Sequence, residues 1–340
     1  MKLLELHILQ SYPVSCLNRD DVGAPKSANF GGVPRARISS QCLKRAVRTT
    51  AASLSEGFHG IRSRFLLGPF QEALKEAGLE EKDAQEKAQA LAELFSKQDG
   101  NKPDQVTTSV YLSPGEIQQI AKAVAGGEDL KKAIRQANRL DAADIALFGR
   151  MIANDATLNV EGAAMFSHAL STHKASNDID FFSTVDDRKG DAEDAGASMI
   201  GTLEFNSATY YRFAAVNLDL LASDQHLGKL EAADRRKVLE VFLRATLLAV
   251  PGARQNSMNS ATLPSHVLGV RKDEGQPVQL INAFEAGVRT NGKGLLESSL
   301  EAMKAHYENL KTAWGMKASQ ELWMPDCNLE TFITGLTNEA

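Results

Sequence analysis

Residues 15–48, SCLNRDDVGAPKSANFGGVPRARISSQCLKRAVR, contain the loop and helix around which the rest of the chain is organised. Seven basic and two acidic residues give this stretch a formal charge of +5. The whole chain carries −5, so the residues outside the stretch sum to −10. A basic segment on an acidic protein indicates a binding site for a polyanion.

The second half of this stretch is typical of a loop that runs into a helix. A segment broken by Gly and Pro carries Arg35 and Arg37 directly into Ser39-Ser40-Gln41, which has the pattern of a helix start. Backbone N–H groups at a helix start bind anions, and basic side chains beside them strengthen that binding. The stretch therefore predicts a phosphate site.

A helix is expected from about Ser40 to Leu54, with an apolar stripe on its buried face. Lys44, Arg45 and Arg48 fall together on another face, because residues three and four apart are neighbours on a helix. Such a face is most often simply solvated. The basic loop that precedes this helix favours an anion-binding role instead.

Length and composition indicate about two domains, or one large domain with insertions. Apolar residues make up 43% and charged residues 24% of the 340, as in an ordinary globular protein. The chain has no run of about 18 apolar residues, and its amino-terminal segment lacks the pattern of a signal peptide. The three cysteines, Cys16, Cys42 and Cys327, are few, odd in number and far apart in sequence, which is typical of reduced thiols. These features predict a cytoplasmic protein without membrane contact, disulfides or a zinc site.

The order of predicted elements indicates an α+β fold with a split β-α-β-β-α-β core, ferredoxin-like or RRM-like, with insertions. Residues 2–11 alternate as a strand with one buried face. Residues 199–219 and 262–271 are predicted strands, and residues 231–249 and 295–313 are predicted helices.

Residues 56–148 are expected to form a mostly helical insertion. Ser113-Pro114-Gly115-Glu116 has the pattern of a capped helix start. The segment 128–139 places a basic ridge along a helix, which is most simply a solubilising surface. The members of this ridge are Lys131, Lys132, Arg135 and Arg139.

Residues 181–198 have little apolar content after two phenylalanines and are predicted to form a protruding, mobile loop or hairpin.

Several motifs of enzymes and binding domains are missing from the sequence. There is no G-x-x-x-x-G-K-[ST] loop and no G-x-S-x-G elbow. The RNP1 signature of base-stacking RRM sheets is also missing, so the loop and helix are expected to hold any nucleic acid. His168 and His173 are poorly spaced for one metal site, and neither a metal nor a cofactor is predicted. Asp20-Asp21 is interpreted as a turn cap or ion-pair partner.

Blocks of residues in 15–48 resemble a known family: SCLNRDD (15–21), FGG (30–32) and RISSQ-x-LKRA-x-R (37–48). Further blocks follow in the same order: DIAL-x-GRM (144–151), SHALSTH (167–173), DIDFF-x-x-VDD (178–187), GT-x-EF (201–205), YYR (210–212) and PGA-x-Q (251–255). From residue 4 to about 260 the chain is similar to the CasC family of the Cas-seven superfamily. These proteins are backbone subunits of the type I-E CRISPR surveillance complex, Cascade.

The resemblance implies three parts. Residues 1–55 and 199–340 would form a discontinuous RRM-like palm, and residues 56–150 a helical fingers insertion. Residues 151–198 would form a linker and a thumb loop or hairpin.

The resemblance also implies roles for individual residues. The positions that match those gripping the RNA backbone are Arg19, Lys26, Arg37, Ser39, Gln41, Lys44 and Arg45. The sequence pattern itself adds Arg35, Ser40 and Arg48 to this RNA-binding set. The positions that match the nucleotide wedge of the thumb and its neighbours are Met151, Phe182, Ser183 and Ile200. The basic ridge at 131–139 falls where the fingers approach target DNA.

The function that the resemblance implies is a non-catalytic subunit that polymerises along a guide RNA (crRNA) and presents it for pairing with target DNA in antiviral defence. Its expected partners are crRNA, target DNA and other copies of itself in a helical filament. Other expected partners are the large subunit, the small subunit, the 5′-handle-binding subunit and the guide-processing endonuclease. A subunit that must hold any guide should contact phosphates and leave the bases free to pair.

Two other functions stay open at the level of sequence. A metal-dependent, target-RNA-cleaving backbone subunit, as in type III CRISPR complexes, would use Asp20 or Asp21. A guide-processing ribonuclease with a histidine base would use His7 or His59, which lie near the basic stretch.

Overall fold

The computed structural model describes residues 1–184, 199–290 and 292–338, and for Thr184, Met199 and Ile200 it describes the backbone alone. The described residues form helices and an antiparallel sheet, so the chain has the α+β fold that the sequence predicts. Residues 185–198, most of the predicted mobile loop, lie outside the described part.

The strands, in chain order, are β1 Leu3–Ser15, β2 Ser27–Phe30, β3 Val33–Ile38, β4 Ile61–Ser63, β5 Gln98–Asp99, β6 Lys102–Val106, β7 Val110–Leu112, β8 Ala164–Phe166, β9 Ala169–Ser171, β10 Asp178–Thr184, β11 Met199–Asn217, β12 His266–Lys272 and β13 Gln320–Met324. The α-helices are α1 Ser40–Leu54, α2 Leu67–Glu76, α3 Glu81–Phe95, α4 Pro114–Ala125, α5 Leu130–Gln136, α6 Ala143–Phe148, α7 Leu218–Leu221, α8 Ala232–Leu248, α9 Leu295–Trp314 and α10 Leu329–Thr337. Short 3₁₀ turns lie at Ala156–Leu158 and Ile281–Phe284.

The main sheet is built around β1 and β11. Its order is β13–β12–β1–β11–β9–β3–β2, and β8 and β10 also pair with β11. β1 pairs with β11 from Leu3↔Asn217 to Gln10↔Tyr210, and on its other edge with β12. The centre of the sheet thus joins the amino-terminal segment to residues more than 190 positions later in the chain.

Helices α1, α8 and α10 cover one face of the sheet. Leu4, Leu6 and Ile8 of β1 pack there against Val47 of α1 and Phe242 of α8. Residues of α6 belong to the same core, so this short helix packs on the sheet although it lies between the insertion and β8 in sequence. The predicted helices at 40–54 and 231–249 are confirmed.

The other face of the sheet is covered as well, which differs from the sequence prediction of one buried face on β1. Leu9 of β1 packs in a second core with Met303 and Tyr307 of α9. Glu5 and His7 of β1 are 1% and 0% exposed on this face. Alternation detects only the more apolar face of a strand, because a buried polar side chain and a solvated one look alike in sequence. Lys272 binds the Glu5 carboxylate at 2.8 Å and compensates its burial.

The insertion between α1 and β8 has a separate core formed by α2, α3, α4 and α5. Phe70 and Phe95 stack in it with ring centroids 5.9 Å apart. Ile152 and Leu158 complete this core from the segment that follows α6. Two small two-stranded sheets, β4–β7 and β5–β6, lie within the insertion.

β10 and the first half of β11 form an antiparallel hairpin, with Asp178 opposite Phe205 and Thr184 opposite Met199. Within the described residues, no helix combines the length and the apolar character needed to cross a membrane.

Candidate functional site

The start of α1 is fixed by two side chains. The Ser39 hydroxyl accepts the Cys42 N–H at 3.3 Å, and the Ser39 N–H donates to Asn18 Oδ1 at 2.9 Å. Asn18 therefore ties the preceding loop to the helix cap. Ser40 and Gln41 follow in the first turn, whose N–H groups have no intrahelical acceptor. This is the local arrangement that binds anions at a helix start.

One side of α1 lines a cleft of about 810 Å³, called the α1 cleft. Leu43 and Val47 point into the core, which turns Lys44, Arg45 and Arg48 toward this cleft. The lining residues are Gln41, Lys44, Arg45, Arg48, Arg62, Ser109, Tyr111, Phe148, Gly149, Arg150, Met151, Val160 and Gly162. Within the described part of the chain, no carboxylate lines it.

Aromatic rings support two of these cations. The Lys44 ammonium lies 6.0 Å from the centroid of the Phe166 ring, and the Arg48 guanidinium lies 5.5 Å from that of Tyr111. Burial lowers the pKa of Lys44. A partly desolvated cation gains more from an anionic partner than one in open water, so the α1 cleft favours anion binding.

A second cleft, called the loop cleft, lies along the same helix and has a volume of about 920 Å³. One side of it is lined by Arg19, Asp20 and Asp21. The other side is lined by Val250, Pro251, Gly252, Ala253 and Gln255. Arg45 lines both clefts, so the predicted cations Arg19 and Arg45 belong to adjoining surfaces.

The loop before α1 is held by its own hydrogen bonds. Asp20 Oδ1 accepts the N–H groups of Val22 and Ala24 at 3.0 and 2.9 Å. The Lys26 N–H donates to the Asn18 carbonyl at 2.8 Å. The prediction that Asp20 caps a turn is confirmed, because its carboxylate organises this loop.

Arg37 occupies a half-buried position on β3. Its guanidinium donates to the Ser27 carbonyl at 3.1 Å and to His168 Nδ1 at 3.2 Å. Partial burial, with the charges of Arg37 and Lys26, lowers the pKa of His168. A neutral imidazole can accept this bond, so His168 acts as a support for Arg37.

Arg35 does not belong to the exposed basic surface, contrary to the sequence prediction. It is 0% exposed, and its guanidinium donates to the carbonyls of Phe30, Ser171, Phe284 and Glu285 at 2.8–3.2 Å. These bonds satisfy the buried guanidinium with backbone acceptors from segments far apart in sequence. Arg35 is therefore a structural residue that joins β2, β9 and the 3₁₀ turn at Ile281–Phe284.

Met151 protrudes at the rim of the α1 cleft, where it is 81% exposed. The preceding residue anchors it: Arg150 is 5% exposed and binds the Glu116 carboxylate at 2.8 and 2.9 Å. Sequence patterns predict a helix-capping role for Glu116, but its carboxylate turns to Arg150 instead. The N–H of Glu116 still donates to the Ser113 hydroxyl at 3.0 Å, as predicted.

Two other predicted wedge residues lie on the hairpin and line neither cleft. Phe182 is 42% exposed, and Ser183 beside it is exposed. Phe182 lies over Gly201, where an added Cβ would come within 2.4 Å of its ring. Ile200 pairs with Ser183 across the hairpin, and its side chain is outside the described part.

The predicted basic ridge is shorter than the sequence indicates. α5 ends at Gln136, and Arg139 lies beyond it, 3.3 Å from Glu116. Lys132 pairs with Glu128, and Arg135 lies 3.8 Å from Asp155. The buried Glu116 carboxylate thus gives Arg139 a partner inside the protein. Lys131 lines a small separate cavity, so the structure does not join this ridge to the α1 cleft.

His7, one candidate for a general base, is buried under α9, where it contacts the Tyr211 hydroxyl at 2.9 Å. It has no access to RNA, so this candidate was wrong, whereas His59 is exposed. No cluster of three or more His, Cys, Asp or Glu side chains able to hold a metal occurs among the described residues.

Sequence reasoning missed the far wall of the α1 cleft. Arg62, Ser109 and Tyr111 are distant from the basic stretch, and no local pattern singles them out.

The fold and the α1 cleft define an α+β protein with a carboxylate-free cationic groove among its described residues. The chain belongs to the CT1975-like protein family, whose sequence model matches residues 4–334. No match was found among the curated proteins.

Two solved chains of similar fold come from CRISPR RNA-guided surveillance complexes. A chain of a "CRISPR RNA-guided surveillance complex, pre-nicking" is 29% identical, with a TM-score of 0.77, covering 93% of this chain and 90% of that one. A chain of a "CRISPR RNA-guided surveillance complex" matches 99% of this chain and 100% of its own length with a TM-score of 0.71. Its identity is 24%, so this second likeness concerns the fold alone.

Proposed function

We propose that this protein is the non-catalytic, crRNA-binding backbone subunit of a surveillance complex of type I-E, and that copies of it polymerise along the guide RNA. The observation that carries the proposal is the α1 cleft. It gathers Lys44, Arg45 and Arg48 without a described carboxylate, on a protein whose net charge is −5. Similarity to a chain of an RNA-guided complex supports RNA as the polyanion.

The sheet supports an RRM-like palm. The central strands lie in the order β12–β1–β11–β9, and α1 and α8 cover one face. This is the arrangement of a split β-α-β-β-α-β core. α9 covers the opposite face, on which RRM domains stack bases, so RNA is expected at the edge formed by the loop and α1.

The chemistry of the α1 cleft favours contacts with the sugar–phosphate chain. Lysine and arginine donate charge-assisted hydrogen bonds to phosphate oxygens and leave base edges free. A guide must expose its bases to pair with target DNA, so a backbone-only grip suits this role. Adjacent copies would extend the groove and add their contacts.

Exposed apolar side chains fit a wedge between stacked bases. Met151 is 81% exposed at the cleft rim, and Phe181 is 73% exposed on the hairpin. Separating two bases costs a few kcal/mol per step, which contacts from a neighbouring copy would offset. Target DNA, the other complex subunits and a cytoplasmic location belong to the same proposal.

Changing Lys44 and Arg45 to alanine together is expected to weaken RNA binding about 25-fold at 0.1 M salt. Two lost contacts to a single strand remove about 1.4 from the slope of log K against log salt. Fluorescence anisotropy with a labelled guide RNA at several salt concentrations measures both quantities, and co-expression with an array measures RNA loading. Unchanged loading and an unchanged slope would contradict the proposal.

The matched control changes Lys82 and Lys229 to alanine. Both lysines are exposed and line neither cleft, so the net charge falls equally without a change in the cleft. Circular dichroism and thermal unfolding establish that each double variant keeps the fold.

The protein is expected to leave bound RNA intact. The Asp20 carboxylate already accepts two backbone N–H groups, which supports a structural role over metal binding. Incubation of the assembled complex with Mg²⁺ and guide-paired RNA tests this. Regularly spaced products that disappear in Asp20→Asn or Asp21→Asn would establish the cleaving alternative instead.

A further inference from the structure

The wall of the α1 cleft opposite the helix is built by the small sheet β4–β7. Arg62 of β4 pairs with Tyr111 of β7, and residues directly opposite in a sheet point to the same side. Both therefore face the cleft. Their neighbours Ile61 and Leu112 point to the other side and line a separate apolar groove, as alternation along a strand requires.

Arg62 is a cation without an internal function. Its side chain is exposed, and no ion pair or side-chain hydrogen bond joins it to another described residue. Arg64, two positions later, differs: it pairs with Asp99 and donates to the Val106 carbonyl at 2.7 Å. A structural role therefore accounts for Arg64 but not for Arg62.

The two walls of the cleft are held against each other. Arg48 of α1 donates to the Gly60 carbonyl at 3.4 Å, just before β4 begins. The Gly60 N–H donates to Asp144 at 3.1 Å, and the Tyr111 hydroxyl donates to the same carboxylate. An added Cβ at Gly60 would lie 2.6 Å from the Tyr111 ring, so this junction is tightly packed. Arg62 is therefore positioned by a strand whose start is held by these packed contacts and hydrogen bonds.

The cleft gathers Arg62 with Lys44, Arg45 and Arg48. Arg150 also lines the cleft, but its charge is paired with Glu116. The other four like charges repel one another, and a negatively charged ligand between them relieves that repulsion. A polymer of phosphodiesters fits a cleft open to solvent better than a single small anion does.

We propose that Arg62, assisted by the exposed Ser109 hydroxyl, forms a second phosphate-binding wall. The guide RNA backbone would then lie between α1 and the insertion, bound from both sides. This inference rests on the proposed RNA-binding function, and it assigns to the insertion a direct contact with the guide.

The test compares Arg62→Ala with Lys97→Ala in RNA-binding titrations at several salt concentrations. Lys97 is an exposed cation of the same insertion that lines none of the described cavities. One lost contact is expected to weaken binding about 5-fold at 0.1 M salt and to lower the salt slope by about 0.7. Arg62→Lys should recover most of the affinity, and Arg62→Glu should weaken binding further than Arg62→Ala.

The outcomes separate this inference from the function on which it rests. If Arg62→Ala binds like Lys97→Ala while the Lys44 and Arg45 double variant is impaired, the second wall is refuted and the proposed function stands. If neither the double variant nor Arg62→Ala changes RNA binding, both are refuted. Arg62 is exposed, so its variants should fold, and thermal unfolding verifies this.

Discussion

Replacing Glu116 with alanine is expected to lower the free energy of unfolding by about 3–5 kcal/mol, because it leaves a buried guanidinium without its counterion. Glu116 is 0% exposed and accepts hydrogen bonds from Arg150 at 2.8 and 2.9 Å. Arg139 lies 3.3 Å from the same carboxylate. Urea denaturation of the variant and the wild-type protein measures the loss.

A double variant distinguishes loss of the ion pair from loss of packing. Changing Glu116 to Leu and Arg150 to Met removes both charges, so it should be less destabilising than Glu116→Ala alone. Arg150 also donates to the carbonyls of Tyr111 and Leu158, which would lose this partner, so full recovery is not expected. A double variant as unstable as the sum of its two single changes would show that the charges are not coupled.

The Glu116–Arg150 pair also positions the cleft rim. Met151 directly follows Arg150 and lies on the surface, so its place depends on this buried anchor.

Gly31→Ala is the second change with a large expected effect, about 3 kcal/mol or more of unfolding free energy. Gly31 has φ of +60°, and an added Cβ would lie 1.6 Å from the Glu285 carbonyl oxygen. A backbone atom cannot rotate away as a side chain can. The β2–β3 turn would have to separate from residues 284–287, and Arg35 would lose partners there.

Gly32→Ala is the matched control. Gly32 also has a positive φ, +76°, but nothing lies within 4 Å of its added Cβ. Only the left-handed backbone strain remains, about 1–2 kcal/mol. Urea denaturation compares the two variants, and amide hydrogen exchange across residues 27–38 locates the damage. Equal losses would mean that the close approach to Glu285 does not constrain the turn.

Much of the fold could be predicted because its signals are local. Ser39 and the apolar stripe behind it specify where α1 begins and which face it buries. The long strand β11 is predicted by its content of Tyr, Phe, Thr and Val, and the helix α8 by an apolar stripe that extends over many residues. The grouping of Lys44, Arg45 and Arg48 follows from helix geometry alone.

The carboxyl-terminal part was less informative in sequence. β13 joins the edge of the sheet, and α10 packs beneath it, although no pattern in residues 314–340 predicted either element. Both are stabilised by contacts with β12 and α8 rather than by their own periodicity, so local patterns do not identify them.

Sequence by itself therefore determined the local elements and the cationic face of α1, because a helix or strand pattern depends on residues within one or two turns. Tertiary structure alone decided which cations remain accessible. In the folded protein Arg35 is buried among backbone carbonyls, Arg139 lies beside Glu116, and Arg62 lies opposite α1. Tertiary structure also decided that the second face of β1 is covered. Whether a charged side chain is buried or accessible depends on the cost of its desolvation and on the partners that other segments bring to it. Neither can be predicted from the residues next to it in sequence.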